Sequence, residues 1–246
     1  VFFPRFLALP ALLRRLDGFS MAVCTLPTLL RLRRSLGVNV IDAHFSYPSG
    51  YAATLLGGWL NLPVAITMRG TEPNHAAVPT LRKRVAVALR RATRVFAVSE
   101  SLKRVAVSLG IADAKIRVIG NGVDLARFNP IVRDDARRQL GLPLRAKVII
   151  SVGGLVERKG FHRIIDLVPE LTRRFPDLLF LIVGGPSPEG DMTAALQEQV
   201  QRLRLSEHVV LSGPVSPDGL SAYLSAADVF VLATRNEGWA NVFLEA

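Results

Sequence analysis

A single cysteine, Cys24, stands among 246 residues. That excludes an internal disulfide and any cluster of thiolate ligands, and it makes the cytoplasm the expected compartment. No uninterrupted apolar run approaches the ~20 residues that a membrane-spanning helix needs. An initiating Met is missing, and the apolar start Val1-Phe2-Phe3-Pro4 lacks an Ala-x-Ala-like cleavage site, so it does not read as a signal peptide. The chain is expected to begin midway along a longer one. No D-x-D pair and no His/Cys/Asp grouping with ligand spacing is present, so no metal is expected. The G-x-G-x-x-G fingerprint is absent as well, which removes the obvious case for a nicotinamide cofactor.

Acidic residues are scarce in one half only. Residues 1–128 hold 18 Lys+Arg against 6 Asp+Glu, whereas residues 129–246 hold 13 against 14. A basic first half, with Arg82, Lys83, Arg84, Arg90 and Arg91 close together, suits an anionic surface or acceptor. Nucleic acid is the weakest of the anionic partners, because neither an aromatic-interleaved pattern nor a helix-turn-helix unit stands out. A solvated, Arg-rich surface accounts for the same composition.

What is there is alternation. Half of the residues are hydrophobic, enough for a substantial core. Short apolar runs at 38–41, 63–68, 94–98, 116–119, 147–152, 178–183, 209–211 and 228–232 read as strands. Helices are predicted over 21–36, 51–60, 79–92, 160–174, 192–205 and 217–225, with Gly37 as a C-cap, Ser99 as an N-cap and Pro79 as a helix opener. Such alternation predicts an α/β fold with parallel sheets. The turn-rich, charged stretch 121–144 is the natural seam, giving domains 1–128 and 129–246 with a cleft between them.

Several segments at strand ends could carry chemistry. The loop Gly153-Gly154-Leu155-Val156-Glu157-Arg158-Lys159-Gly160 lies between a strand and a helix. Its glycines permit close backbone approach, and Arg158 or Lys159 could neutralise a diphosphate at the helix start. A plain strand-to-helix turn has the same composition. His44 ends a strand in the first half, where a structural role also suffices. Near the end of the chain, Glu237 and Glu245 bracket Gly238-Trp239-Ala240-Asn241 at what reads as a helix start. Carboxylates so placed can accept hydrogen bonds from sugar and ribose hydroxyls; two ordinary surface glutamates fit the spacing too.

Taken together, these segments resemble a known family. The run EGWANVFLEA resembles the donor-site signature of the retaining GT-B glycosyltransferases of family 4. In them the chain continues past this motif, so a truncation at this end is also expected. GGLVERKG resembles the family's phosphate-binding element, with Lys159 matching its lysine. Many members carry Arg where Gly154 stands here, and Arg158 is the candidate to replace it. IDAHFSYPSGYAA resembles the strand-end histidine segment, which puts His44 near donor sugar and acceptor. Arg69-Gly70-Thr71-Glu72 resembles the acceptor-side loop, with Glu72 where Asp is usual. Gly213-Pro214-Val215-Ser216 resembles the loop whose backbone reads the nucleobase.

The resemblance implies a GT-B architecture of two facing Rossmann-like domains, the second incomplete at its C-terminus. It implies a retaining transfer from a nucleotide-diphosphate sugar to a glycan or lipid-linked acceptor, without a metal or other cofactor. In that scheme His44 and Glu237 are catalytic. Gly153, Gly154, Arg158, Lys159, Val215, Gly238, Trp239, Asn241 and Glu245 hold the donor, and Arg69 and Glu72 serve the acceptor side. Exopolysaccharide, capsule or teichuronic-acid assembly at the inner face of the membrane is the implied setting, with peripheral contact between the basic first domain and anionic lipid. Two alternatives remain: a sugar-nucleotide epimerase on the same architecture, and an inactive nucleotide-sugar-binding fragment. With an uncovered sheet edge in its second half, the chain alone is expected to be inactive and poorly soluble.

Overall fold

Local chemistry sets most element boundaries. In a computed structural model that describes residues 1–7, 14–235 and 238–246, the first helix, α1 (Asp17–Leu36), stops where Gly37 takes a left-handed conformation and donates its N–H to Arg33. It leads to β1 (Ile41–His44), α2 (Tyr51–Leu60) and β2 (Val64–Met68). Then follow α3 (Glu72–Ala77), α4 (Pro79–Arg91), β3 (Arg94–Ala97), α5 (Glu100–Ser108) and β4 (Ile116–Val118). Pro79 opens α4, and the Ser99 hydroxyl caps α5 by accepting the Leu102 N–H at 3.4 Å. The four strands form one parallel sheet in the order β1-β2-β3-β4. Ile66, Met68, Val85, Leu89 and Val95 fill its core.

A second unit begins at Gly122. It contains α6 (Arg133–Leu140), β5 (Lys147–Val152), α7 (Phe161–Arg174), β6 (Leu178–Val183), α8 (Thr193–Arg202), β7 (Val209–Gly213), α9 (Pro217–Ala226), β8 (Val229–Phe230) and the single turn α10 (Val242–Glu245). Its sheet is parallel, in the order β7-β6-β5-β8. All six residues of β6 are buried, as a parallel strand covered on both faces requires. Each such aliphatic or aromatic side chain contributes about 1.5–3 kcal/mol of burial.

Five expectations need correction. The first strand starts at Ile41 rather than Val38, because pairing begins at Ile41↔Val64, where β2 begins. The loop expected over 69–74 gives way at Glu72 to a helix, Glu72–Ala77, with Pro73 in its first turn. The turn-rich seam holds a helix, α6. Residues 122–128 cluster with the second unit and not the first; Arg127 there pairs with Asp218 at 3.0 Å. The last strand shortens to two residues, although the Asp228 and Val231 N–H groups still donate to Val148 and Ile150 of β5. No helix among the described residues is long and apolar enough to cross a membrane.

Candidate functional site

In the second unit, the loops that leave the carboxyl ends of the strands are locked to one another through their backbones. Gly153 N–H donates to Val183, Gly184 N–H to Gly213, Leu155 N–H to Gly185 and Met192 N–H to Leu155. Two glycines make this closeness possible. A Cβ on Gly184 would lie 1.8 Å from the Gly153 carbonyl oxygen, and one on Gly160 would lie 2.1 Å from that of Ala233. Both have positive φ. Backbone, with no side chain between, therefore forms the floor.

Lys159 lies across that floor. Its Cε and Nζ are 3.4 Å and 3.7 Å from where a Gly153 Cβ would stand. Gly160 follows it and α7 begins at Phe161, so the residue that carries the ammonium leads directly into the helix. A cation beside the first N–H groups of a fourteen-residue helix, over bare backbone, suits a phosphate group. Gly154 sits against Ser187 of the loop after β6, 3.0 Å from its Cβ by the same measure, so a longer side chain there would need Ser187 to move.

Arg158 does not point its guanidinium into open solvent. Its Nε donates to Glu189 Oε2 at 2.5 Å and its Nη2 to Oε1 at 2.7 Å, a bidentate pair that joins the loops after β5 and β6. The hydrogen bond from Arg158 holds the Glu189 carboxyl below the usual range. Meanwhile the Arg158 carbonyl accepts from Arg235 N–H at 2.8 Å and Thr234 Oγ1 at 3.0 Å, which ties the loop after β8 to the same turn. Glu189 was not singled out from the sequence. It lies in a Ser-Pro-Glu-Gly turn that reads as ordinary loop, and only the folded register of β5 and β6 brings it to Arg158.

The other expected donor residues lie around α10 and just before α9. Glu237 lies outside the described residues. Gly238 is buried, Trp239 and Asn241 are exposed, and α10 starts only at Val242. Glu245 ends α10 and lines a pocket of about 250 Å³ with Phe128, Asn129, Ile131 and Ser225. Burial pushes its carboxyl upward. Val215, between β7 and α9, packs partly into the apolar cluster beneath β5 and β6.

In the first unit His44 ends β1 and is exposed, with Nε2 3.4 Å from Asp42 Oδ2 on the same strand face. Glu72 is fully buried, which overturns the surface-charge alternative. One of its oxygens accepts the Ser46 N–H at 3.1 Å and the Ser46 hydroxyl at 2.9 Å, and the other accepts the Gly70 N–H at 2.9 Å. It thus ties the loop after β1, which carries His44, to the loop after β2, which carries the half-buried Arg69. His75, one turn further along α3, packs edge-on against Tyr47 with centroids 6.0 Å apart. Burial pushes its imidazole downward, against the pull of Glu72. Among the described residues, no group of three His, Cys, Asp or Glu side chains could hold a metal ion.

Comparison with known proteins covers both units. Residues 4–127 match the family model described as Glycosyltransferase Family 4, and residues 132–246 match that of Glycosyl transferases group 1. The chain is 31% identical over 220 residues to a protein of Bacillus subtilis (strain 168) named for teichuronic acid biosynthesis, the glycosyltransferase TuaC. That match covers 87% of this chain and 52% of TuaC. It is 34% identical over 198 residues to the GDP-mannose-dependent alpha-(1-6)-phosphatidylinositol monomannoside mannosyltransferase of Mycolicibacterium smegmatis, covering 77% of this chain and 46% of the relative. The chain spans about half the length of these two relatives. Among solved structures, Anabaena HepE in complex with UDP superposes with a TM-score of 0.77 at 20% identity, covering 94% of this chain and 62% of HepE. Sucrose-phosphate synthase from Thermosynechococcus elongatus gives 0.76 at 22% identity, covering 98% and 62%. At these identities the structural likeness shows the fold.

Proposed function

The chain belongs to glycosyltransferase family 4, and on that premise we propose that it transfers a sugar from a nucleotide-diphosphate sugar to a glycan or lipid-linked acceptor, with retention at the anomeric carbon. The observation that carries this reading is Lys159, laid over the Gly153 backbone at the start of α7. As the glycosidic bond to the donor breaks, charge develops on the leaving diphosphate. An ammonium and helix-start N–H groups already in place stabilise that charge without reorganising. That HepE has been described with UDP and with UDP-glucose supports a nucleotide-sugar donor here. In this scheme Glu237 holds sugar hydroxyls, Glu245 the ribose, and Val215 and its neighbours the base. His44 and Arg69 of the first unit serve donor sugar and acceptor. TuaC supports cell-surface polysaccharide as the acceptor class, and the basic first unit supports work at an anionic membrane face.

The first test is calorimetric titration with UDP, GDP and ADP, each with and without an attached sugar. Tight binding of one nucleotide, lost in Lys159→Ala and weakened in Glu245→Ala, is the expected outcome. No binding to the folded chain would reduce the likeness to one of fold. An epimerase on the same fold would need catalytic carboxylates in the first unit. Glu72 is committed to three hydrogen bonds, which leaves Asp42 of the two carboxylates named for that role.

A further inference from the structure

The Arg158–Glu189 pair stands at the rim of the Lys159 floor. Glu189 belongs to the short turn that starts at Ser187, the residue lying over Gly154; its N–H donates to Ser187 Oγ at 3.2 Å. Arg158 is the neighbour of Lys159 in one turn of 3-10 helix. Its backbone is anchored by the loop after β8, as described above, so the side chain is the part that can move. The two side chains are 34% and 54% exposed. A pair so exposed contributes little and exchanges readily. A diphosphate offers the same guanidinium more charge and more acceptor oxygens than one carboxylate does.

We propose that Glu189 is a displaceable counter-ion which pairs with Arg158 and yields it to the donor's diphosphate. The inference rests on the donor-site reading above and adds a residue that sets donor affinity from outside the ligand's own contacts. Released by Glu189, the Arg158 guanidinium would meet the phosphates beside Gly154, which has no side chain of its own to offer them. Glu189 keeps that cation from capturing other anions when no donor is bound. Displacement leaves the carboxylate solvated at the rim, so the donor loses part of its binding free energy to breaking the pair.

The test is titration of UDP, GDP, ADP and inorganic pyrophosphate into the chain and its Glu189→Gln, Arg158→Ala and doubly substituted variants, with Lys159→Ala as control. Thermal unfolding confirms that each variant is folded. Glu189→Gln is expected to tighten the nucleotide that binds, and pyrophosphate, by about two- to five-fold, the size of an exposed pair. The gain should vanish in the Arg158→Ala background. A gain that persists there would mean only long-range relief of negative charge, and would overturn the proposal. So would unchanged or weaker binding in Glu189→Gln; in that event, binding still lost in Lys159→Ala keeps the donor-site reading intact. No binding of any probe to the folded chain removes both.

Discussion

Glu72 shows how a single residue can read one way in sequence and another in the fold. In a loop that resembles an acceptor-binding segment, it invites a role against substrate or a place at the surface. The structure makes it a buried tie whose oxygens satisfy two backbone N–H groups and a hydroxyl. Glu72→Ala strands those donors in a dry site, so a loss of about 2–4 kcal/mol is expected, read as a lowered denaturant midpoint. A loss below about 0.5 kcal/mol would show that water replaces the carboxylate. Lys159 is the opposite case, because its position beside the helix start follows directly from a strand, two glycines and a helix. Removing its charge-assisted contact in Lys159→Ala is expected to weaken nucleotide binding about ten- to a hundred-fold. Calorimetry checks this directly. Glu189 was invisible for a physical reason: its partner is 31 residues away, and only β5–β6 pairing sets their distance.

At the scale of elements, α6 is joined to β5, β8 and the end of α9 through one buried cation. Arg137 is 2% exposed and donates to Ala226 O at 2.9 Å, to Leu144 O at 2.6 Å and to Asp228 Oδ2 at 2.9 Å. Asp228 also accepts the Val148 N–H at 2.7 Å and an Arg133 contact at 2.9 Å. Burial pushes the Asp228 carboxyl upward, but the Val148 hydrogen bond and the two guanidinium groups outweigh it and hold it below the usual range. A carboxyl depressed in the folded state adds stability above the ordinary aspartate pKa of about 4. That increment is lost as pH falls below this value and through the folded pKa. Asp228→Asn should therefore be less stable than the parent at pH 7 and converge toward it near pH 3, as followed by urea unfolding. A constant difference across that range would show that Asp228 does not carry the dependence. None of this was readable from a turn-rich segment, since α6 has few apolar residues and its burial depends on a cation's three partners. The strands, by contrast, were legible wherever apolar residues ran unbroken: β5 and β6 lie at 147–152 and 178–183, as their sequences predict.

For the whole molecule, the alternation of elements was enough to foresee two parallel-sheet units, and the break after Asn121 falls at the first residue of the turn-rich, charged seam. The basic excess of the first half has a structural qualification. Arg82, Lys83, Arg90 and Arg91 of α4 are exposed, but Arg84 lies over the Tyr51 ring at 5.0 Å and donates to its hydroxyl. If the first unit meets anionic lipid, neutralising Arg82 and Lys83 should reduce sedimentation with phosphatidylserine-containing vesicles, and raising salt should do the same. Binding that ignores both would remove the contact. Neutralising Arg84 tests packing instead, and should cost stability. The backbone contacts at Gly160 and Gly184 reach further than the loops they join. Every single-nucleotide change that replaces a glycine adds a Cβ, so neither position has a tolerable neighbour in the genetic code. In a library of random variants selected for a folded second unit, both should stand out as invariant, before any ligand is identified.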